Sequence, residues 1–323
     1  MAQSDPNLLT GIPTLDIRAF ITGSEKEKAD FASELGKAYE TIGFAAIHGH
    51  GISDELIQSL YSESEAFFAL SPEVKRRYAR PETSNQRGFV SMGIEHAKDS
   101  KAADLKEFWQ VGQPNPPAEH DPLHFPSNDD VLECPNFQNT AVETFKALEG
   151  LGRTILRAIA IHLKVDEFYF DGWVRGGNSI LRAIHYPPIT TEPDSAVRAG
   201  QHEDINLITL LVGASASGLE VLRKDNTYTP ITALPEHIVV NVGDMLQRLT
   251  NHRLRSTTHR VVNPPRSEWS KPRFSMPFFC HPKPEMPLDA MPHLIEKDSV
   301  PIDSPINAGE YLEQRLREIG LAK

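Results

Sequence analysis

The chain is poor in the devices that hold a fold together from outside its own core. Of 323 residues only two are cysteine, Cys134 and Cys280, far apart and in no CxxC pair. That excludes a disulfide framework and a thiolate zinc site, and it fits a reducing compartment. No run approaches the ~18 apolar residues that a membrane span needs. Residues 1–11 also lack the basic-then-apolar order of a secretory leader, so the expectation is a cytoplasmic protein with no membrane partner. Basic residues are the minority: 33 Lys and Arg against 44 Asp and Glu leave a formal charge of −11. Such a chain lacks the cations that sequence-blind nucleic-acid binding requires. GxGxxG and GxxxxGK[ST] phosphate loops are both missing. So are repeats, low-complexity tracts and linkers. The Pro- and polar-rich stretches 113–126, 187–195 and 282–305 read as surface loops around one core.

What is present is an ordinary globular composition, 39% hydrophobic, enough to bury a sizeable core. The expected organisation is one catalytic unit: a mixed helix and strand region over 1–100, a β-rich core with a backing helix over 101–281, and a C-terminal loop and helix over 282–323. Residues 12–17 alternate as a short edge strand. Residues 25–42 carry an apolar stripe at helical spacing, 43–47 read as a strand, and Ser53 caps a second helix bearing Leu56, Leu60, Phe67 and Phe68. A long helix is expected over 136–164. From 179 onward the texture changes to short strands at 179–186, 202–212, 219–222, 238–242, 245–249, 257–262 and 273–280. Helices early and strands late predict an α+β fold, a sandwich or barrel buttressed by helices.

Among 13 histidines, His202-Glu203-Asp204 is the sole His-x-acid triplet. Composition alone yields about two such triplets, so the spacing matters only in its setting. On a strand, residues two apart share a face, so His202 and Asp204 can reach one ion while Glu203 points away. Two imidazoles and a carboxylate on one side of a metal leave open positions, the donor set of non-haem Fe(II) oxygenases. His259, on the later strand 257–262, is the candidate third ligand. Fourteen residues on, Arg273 and Ser275 share a strand face and together suit a carboxylate, a guanidinium fork beside a hydroxyl.

With these blocks in order, the sequence resembles the 2-oxoglutarate- and Fe(II)-dependent dioxygenases that are similar to isopenicillin N synthase and plant flavonoid oxygenases. Residues 202–211 look like the family's HxD strand and Asn241-Val242-Gly243-Asp244 like its NxGD turn. The block 256–261 looks like its distal-histidine segment, and Arg273-Phe274-Ser275 like its RxS block. Gly43-Phe44 through His50-Gly51-Ile52 looks like its N-terminal signature. The resemblance implies a double-stranded β-helix, or jelly-roll, with Fe(II) on His202, Asp204 and His259. It places 2-oxoglutarate on Arg273 and Ser275 with help from Tyr186, although Ile184 stands where the family commonly has Asn. Dioxygen is the co-reactant. The reaction the resemblance implies is hydroxylation, desaturation or cyclisation of a small molecule, with release of succinate and CO2 and with no acid-base side chain required.

Two alternatives stay open on the sequence. One is an Fe(II) oxidase resembling isopenicillin N synthase that does not use 2-oxoglutarate; the other is a non-catalytic jelly-roll binder. For the primary substrate, Arg182, Asn206, Phe89, Phe108, Trp109 and Phe279 are candidates by proximity to the motifs. Arg182, on the face of Tyr186, points to a carboxylate-bearing or polar small molecule. A monomer without nucleic-acid partner is expected.

Overall fold

Period-two alternation in the second half of the chain becomes two sheets whose inner faces enclose a cavity. The structure is a computed structural model, and it describes residues 11–96, 103–114, 116, 125–193, 196–212, 218–231, 234 and 236–321. The strands are β1 (Thr14–Asp16), β2 (Phe44–His48), β3 (Gly88–Val90), β4 (Glu107–Val111), β5 (Ile180–Tyr186), β6 (Ala199–His202), β7 (Ile208–Val212), β8 (Leu219–Leu222), β9 (Tyr228–Pro230), β10 (Ile238–Val242), β11 (His259–Val261) and β12 (Arg273–Cys280). The helices are α1 (Arg18–Ile21), α2 (Glu25–Thr41), α3 (Asp54–Phe68), α4 (Pro72–Arg76), α5 (Phe137–His162), α6 (Asp171–Val174), α7 (Asp244–Leu249) and α8 (Ala308–Glu318). The larger sheet runs β1-β2-β10-β7-β12-β5-β4-β3 and the smaller β6-β11-β8-β9. This is the β core buttressed by helices that the pattern predicts, in the jelly-roll form that the resemblance implies.

Each long strand of the larger sheet divides its residues between two environments. On β12, Phe274, Met276, Phe278 and Cys280 enter the main hydrophobic core, whereas Arg273, Ser275, Pro277 and Phe279 line the cavity. On β5, Leu181 and Ala183 face the core, and Ile180, Arg182, Ile184 and Tyr186 face the cavity. The outer face is covered by α5, which buries Phe145, Leu148, Ile155 and Ile159. The Phe145 and Phe278 rings meet edge-on at 5.1 Å. Burying such side chains contributes roughly 1.5–3 kcal/mol each before entropy is counted, which is why the alternation is obeyed.

Two helices that carry no site residue still fix the frame. Ser24 and Glu27 form a reciprocal capping box at the start of α2, and Ser53 accepts from Leu56 N at the start of α3. Both helices pack on α5.

Three expectations are corrected. Residues 202–212 are not one strand: β6 stops at His202, a turn follows, and β7 begins at Ile208. Residues 245–249 are not a strand but most of α7, whose buried Met245, Leu246 and Leu249 follow helical spacing. Phe89 and Trp109 are not cavity residues. They are almost fully buried in the main core, where Phe67 packs against Trp109 at 4.8 Å and against Phe89 at 5.9 Å. The strands β3, β4 and β9 were not expected.

Candidate active site

β6 and β11 pair antiparallel with His202 directly opposite His259, so their rings lie 4.4 Å apart. Each ring is oriented by a nearby carbonyl: His202 Nδ1 lies 2.7 Å from Gly200 O, and His259 Nδ1 lies 3.1 Å from Thr257 O. A carbonyl can only accept, so Nδ1 carries the proton and Nε2 keeps its lone pair. Asp204 Oδ1 stands 3.8 Å from both Nε2 atoms. Its other oxygen, Oδ2, accepts from Thr209 Oγ1 at 2.6 Å and Asn241 Nδ2 at 2.8 Å. The three ligand atoms lie within 4.8 Å of one another. Two lone pairs and one carboxylate oxygen, each held by a hydrogen bond on its far side, fit a divalent iron that keeps open positions.

The carboxylate reaches this place by a turn, not by strand alternation. Asp244 N donates to Asp204 O at 2.8 Å, Met245 N to Asn206 O at 3.1 Å and Gly243 N to Leu207 O at 3.0 Å, so the start of α7 clasps residues 204–207. Gly243 is needed for that clasp, because a Cβ there would lie 2.3 Å from Asn206 O. Asn206, expected to face substrate, is fully buried behind the turn and donates to Thr209 Oγ1 at 2.8 Å. It supports the group that supports Asp204.

The charges follow from this packing. Removal from water and the neighbouring His259 push the His202 imidazole down to about 4. Burial by itself raises Asp204, but His259, His202, Asn241 and Thr209 outweigh it and hold the carboxyl below its ordinary range. At neutral pH the site therefore presents a neutral His202 imidazole beside a carboxylate. Behind it, burial and Asp244 push Glu203 up to about 7 while Thr258 Oγ1 donates to its Oε1 at 2.9 Å.

At one end of the cavity, Arg273 and Ser275 are buried side by side on β12. Register sets Arg273 opposite Tyr186 and Ser275 opposite Ile184. The Arg273 guanidinium lies 4.9 Å from the centre of the Tyr186 ring. Arg198, which sequence reasoning missed, has its guanidinium 5.8 Å from the same ring. The cavity, about 180 Å³ in volume, also reaches His202, Asp204 and His259. Its charged end thus shares one space with the histidines.

At the other end stand Arg182 and Phe279, while Phe108 lies behind Arg182 with its ring centre 4.1 Å from the guanidinium. Arg182 does not offer its charge to a substrate carboxylate as the sequence suggested. Its Nη1 donates to Glu95 Oε2 at 3.0 Å and its Nη2 to Gln110 Oε1 at 3.1 Å. Lys106 bonds Glu95 at 2.5 Å and Asp104 at 2.9 Å. None of Glu95, Asp104 or Lys106 belongs to a motif, and no sequence signal marks them. The cavity mouth is bounded by α8, whose Leu312, Arg315 and Leu316 line it. Tyr311 Oη ties that helix to Asp244 Oδ2 at 3.0 Å.

A jelly-roll carrying two histidines and an aspartate around a metal-sized gap, with a buried arginine at one end of the cavity, defines a non-haem iron oxygenase. Comparison gives the family. Residues 12–132 match the model of the non-haem dioxygenase N-terminal region named for morphine synthesis, and residues 177–282 match the 2OG-Fe(II) oxygenase superfamily. The chain is 32% identical over 310 residues to the 2-oxoglutarate-dependent dioxygenase htyE of Aspergillus rugulosus, covering 88% of this chain and 92% of that protein. A 2OG-Fe(II) oxygenase family protein from Caulobacter crescentus superposes with a TM-score of 0.85 at 38% identity over 96% of this chain and 99% of that one. A full-length Neurospora crassa protein in complex with alpha-KG and thymine superposes with a TM-score of 0.84 at 31% identity over 95% of this chain and 96% of that one. The chain belongs to the 2OG-Fe(II) oxygenase superfamily: it is an Fe(II)- and 2-oxoglutarate-dependent dioxygenase acting on small molecules. No helix among the described residues is long and apolar enough to cross a membrane.

Proposed function

We propose that this enzyme oxidises a C–H bond of a small polar molecule, with His202, Asp204 and His259 holding Fe(II) and with Arg273, Ser275 and Tyr186 holding 2-oxoglutarate. The observation that carries the reading is the opposed pair His202 and His259 with Asp204 Oδ1 equidistant from both, 3.8 Å from each Nε2. Bound Fe(II) with 2-oxoglutarate supplies activation of dioxygen, coupling decarboxylation to succinate and CO2 with oxidation of the substrate. The protein's part is placement. Gly200 O and Thr257 O fix the two rings, while Thr209 and Asn241 fix the carboxylate. Arg273 would form a charge-assisted fork for a carboxylate, Ser275 would add a hydroxyl donor, and the Tyr186 ring lies against the guanidinium, with its centre 4.9 Å away. This end lies on the far side of Pro277 from Phe279 along one strand face, so the keto acid and the substrate would occupy different stretches of the cavity.

Succinate release with candidate substrates tests the reading, with thymine, the ligand of the Neurospora relative, among the first compounds. Arg273→Ala is expected to raise the apparent KM for 2-oxoglutarate by about 100-fold, from loss of a buried bidentate contact, while Fe(II) still binds. An unchanged KM, or full iron affinity in His259→Ala, overturns the assignment.

A further inference from the structure

We infer that the end of the cavity remote from Arg273 binds a neutral, planar molecule carrying an amide-like donor and acceptor pair, and that His281 is the side chain that selects it. This deepens the oxygenase reading and rests on it.

His281 follows β12 and continues its inward row, Arg273, Ser275, Pro277, Phe279, His281, all of which line the cavity. At ~3.3 Å per residue, six residues separate Ser275 from His281 by roughly 20 Å of strand. A keto acid held at Ser275 cannot reach it. His281 is 6% exposed, and its Nδ1 is buried without a hydrogen-bond partner among the described residues. The backbone of His281 is pinned by Ser179 Oγ, which accepts from its N at 3.2 Å and donates to its O at 3.3 Å, so the ring is presented from a fixed point. A buried imidazole with an unmet nitrogen costs stability, and a substrate that supplies the missing partner recovers it. Burial pushes the imidazole down to about 4, with Asp204 acting against that and Arg182 with it. At neutral pH the ring is uncharged and has one donor and one acceptor.

The neighbours decide the charge of the ligand. Arg182 and Lys106 are each paired, to Glu95 and to Glu95 with Asp104, so two cations face two anions. A substrate carboxylate here would find no uncompensated charge in that group and would meet Glu95 and Asp104 as repulsion. The ligand's shape follows from Phe279. Its ring is partly exposed among the cavity-lining residues and lies 5.1 Å from the Arg182 guanidinium, itself 4.1 Å from Phe108. A flat ring stacks on such a platform.

The test uses two matched pairs of probes, thymine against orotate and benzamide against benzoate, titrated calorimetrically into the full-length enzyme loaded with Mn(II) and 2-oxoglutarate. Succinate release by the Fe(II) enzyme is measured in parallel. At least one neutral probe is expected to bind about tenfold or more tightly than its anionic partner. His281→Phe, which keeps the ring and deletes the hydrogen bond, should weaken that probe roughly tenfold, and His281→Gln, which restores a donor and acceptor, should recover most of the loss. Equal or stronger binding of the anions, binding by no neutral probe, or His281→Phe at parental affinity overturns the inference. Failure of the Fe(II) enzyme to decarboxylate 2-oxoglutarate under any condition would instead overturn the oxygenase assignment of residues, whatever the probes do.

Discussion

Replacing Thr209 by valine deletes one hydroxyl and almost no volume, which makes it a clean probe of how Asp204 is held. In the parent, Asp204 Oδ2 accepts from Thr209 at 2.6 Å and from Asn241 at 2.8 Å, and these two bonds turn Oδ1 toward the histidines. A hydrogen bond to a charged acceptor contributes about 1.5–3 kcal/mol, and loss of a group that orients a metal ligand typically weakens the metal about 10- to 100-fold. The two figures agree, since 1.4 kcal/mol is about tenfold. The same change strands Asn206 Nδ2, whose acceptor is Thr209 Oγ1 at 2.8 Å in a fully buried place. Folding stability should therefore fall by about 1–3 kcal/mol as well. Anaerobic calorimetry with Fe(II) reads the first effect and denaturant unfolding of the metal-free protein reads the second. Thr209→Ser, which keeps the hydroxyl, serves as the control. Excess Fe(II) should restore part of the turnover. If Thr209→Val bound iron within twofold of the parent while remaining folded, the hydrogen bond would not be what aims the carboxylate.

Two further outcomes follow from contacts away from the metal. Burial alone raises the Glu95 carboxyl, but Arg182 and Lys106 prevail and hold it down to about 2. A carboxyl lower in the folded than in the unfolded chain adds stability that is present above its ordinary 4.5 and is lost as pH falls toward 2, here roughly 3 kcal/mol. Denaturant unfolding against pH should show that acid limb, and Glu95→Gln should flatten it while lowering stability at pH 7 by about 3–5 kcal/mol. An unchanged slope would refute the pairing. In Gly36→Ala, the new Cβ would lie 2.1 Å from His162 Cγ, where His162 Nε2 meets Glu40 Oε1 at 2.9 Å. The ~1 kcal/mol gain in helix propensity is outweighed by a packing cost of about 1–3 kcal/mol. Tm should fall by a few degrees, and a rise would refute the close approach of α2 and α5.

How much of the site was legible depended on whether its geometry is local. His202, His259, Arg273 and Ser275 can each be read from a short block, because each block is a strand or its end and its side-chain direction follows from the period of two, and the structure brings His202, Asp204 and His259 within 4.8 Å of one another. The reason offered for Asp204 was nevertheless wrong. It sits on a turn shaped by Gly243, Asp244 and Met245, some forty residues on, and no local pattern near 204 records that clasp. The 245–249 run went astray because a five-residue apolar stretch has no period long enough to separate strand from helix. Arg182 was read as an available cation because its partners, Glu95 and Gln110, reach it from other segments of the chain. Trp109 and Phe89 are singled out by proximity alone, yet successive residues of one strand face opposite sides: Trp109 enters the core while Gln110 lines the cavity.

Because a single strand face carries Arg273 and Ser275 at one end and Phe279 and His281 at the other, this enzyme's two recognition tasks are separable by position. On the proposed assignment, substitutions at 279 and 281 are expected to change substrate choice while the KM for 2-oxoglutarate stays at its parental value. Length is another matter. One residue inserted between Ser275 and Phe278 would turn every later side chain over, sending Phe279 and His281 into the core and Phe278 and Cys280 into the cavity. Diversification at β12 is thus open to exchange of residues and closed to insertion or deletion, and new specificities built on this strand should differ in spelling while keeping its count.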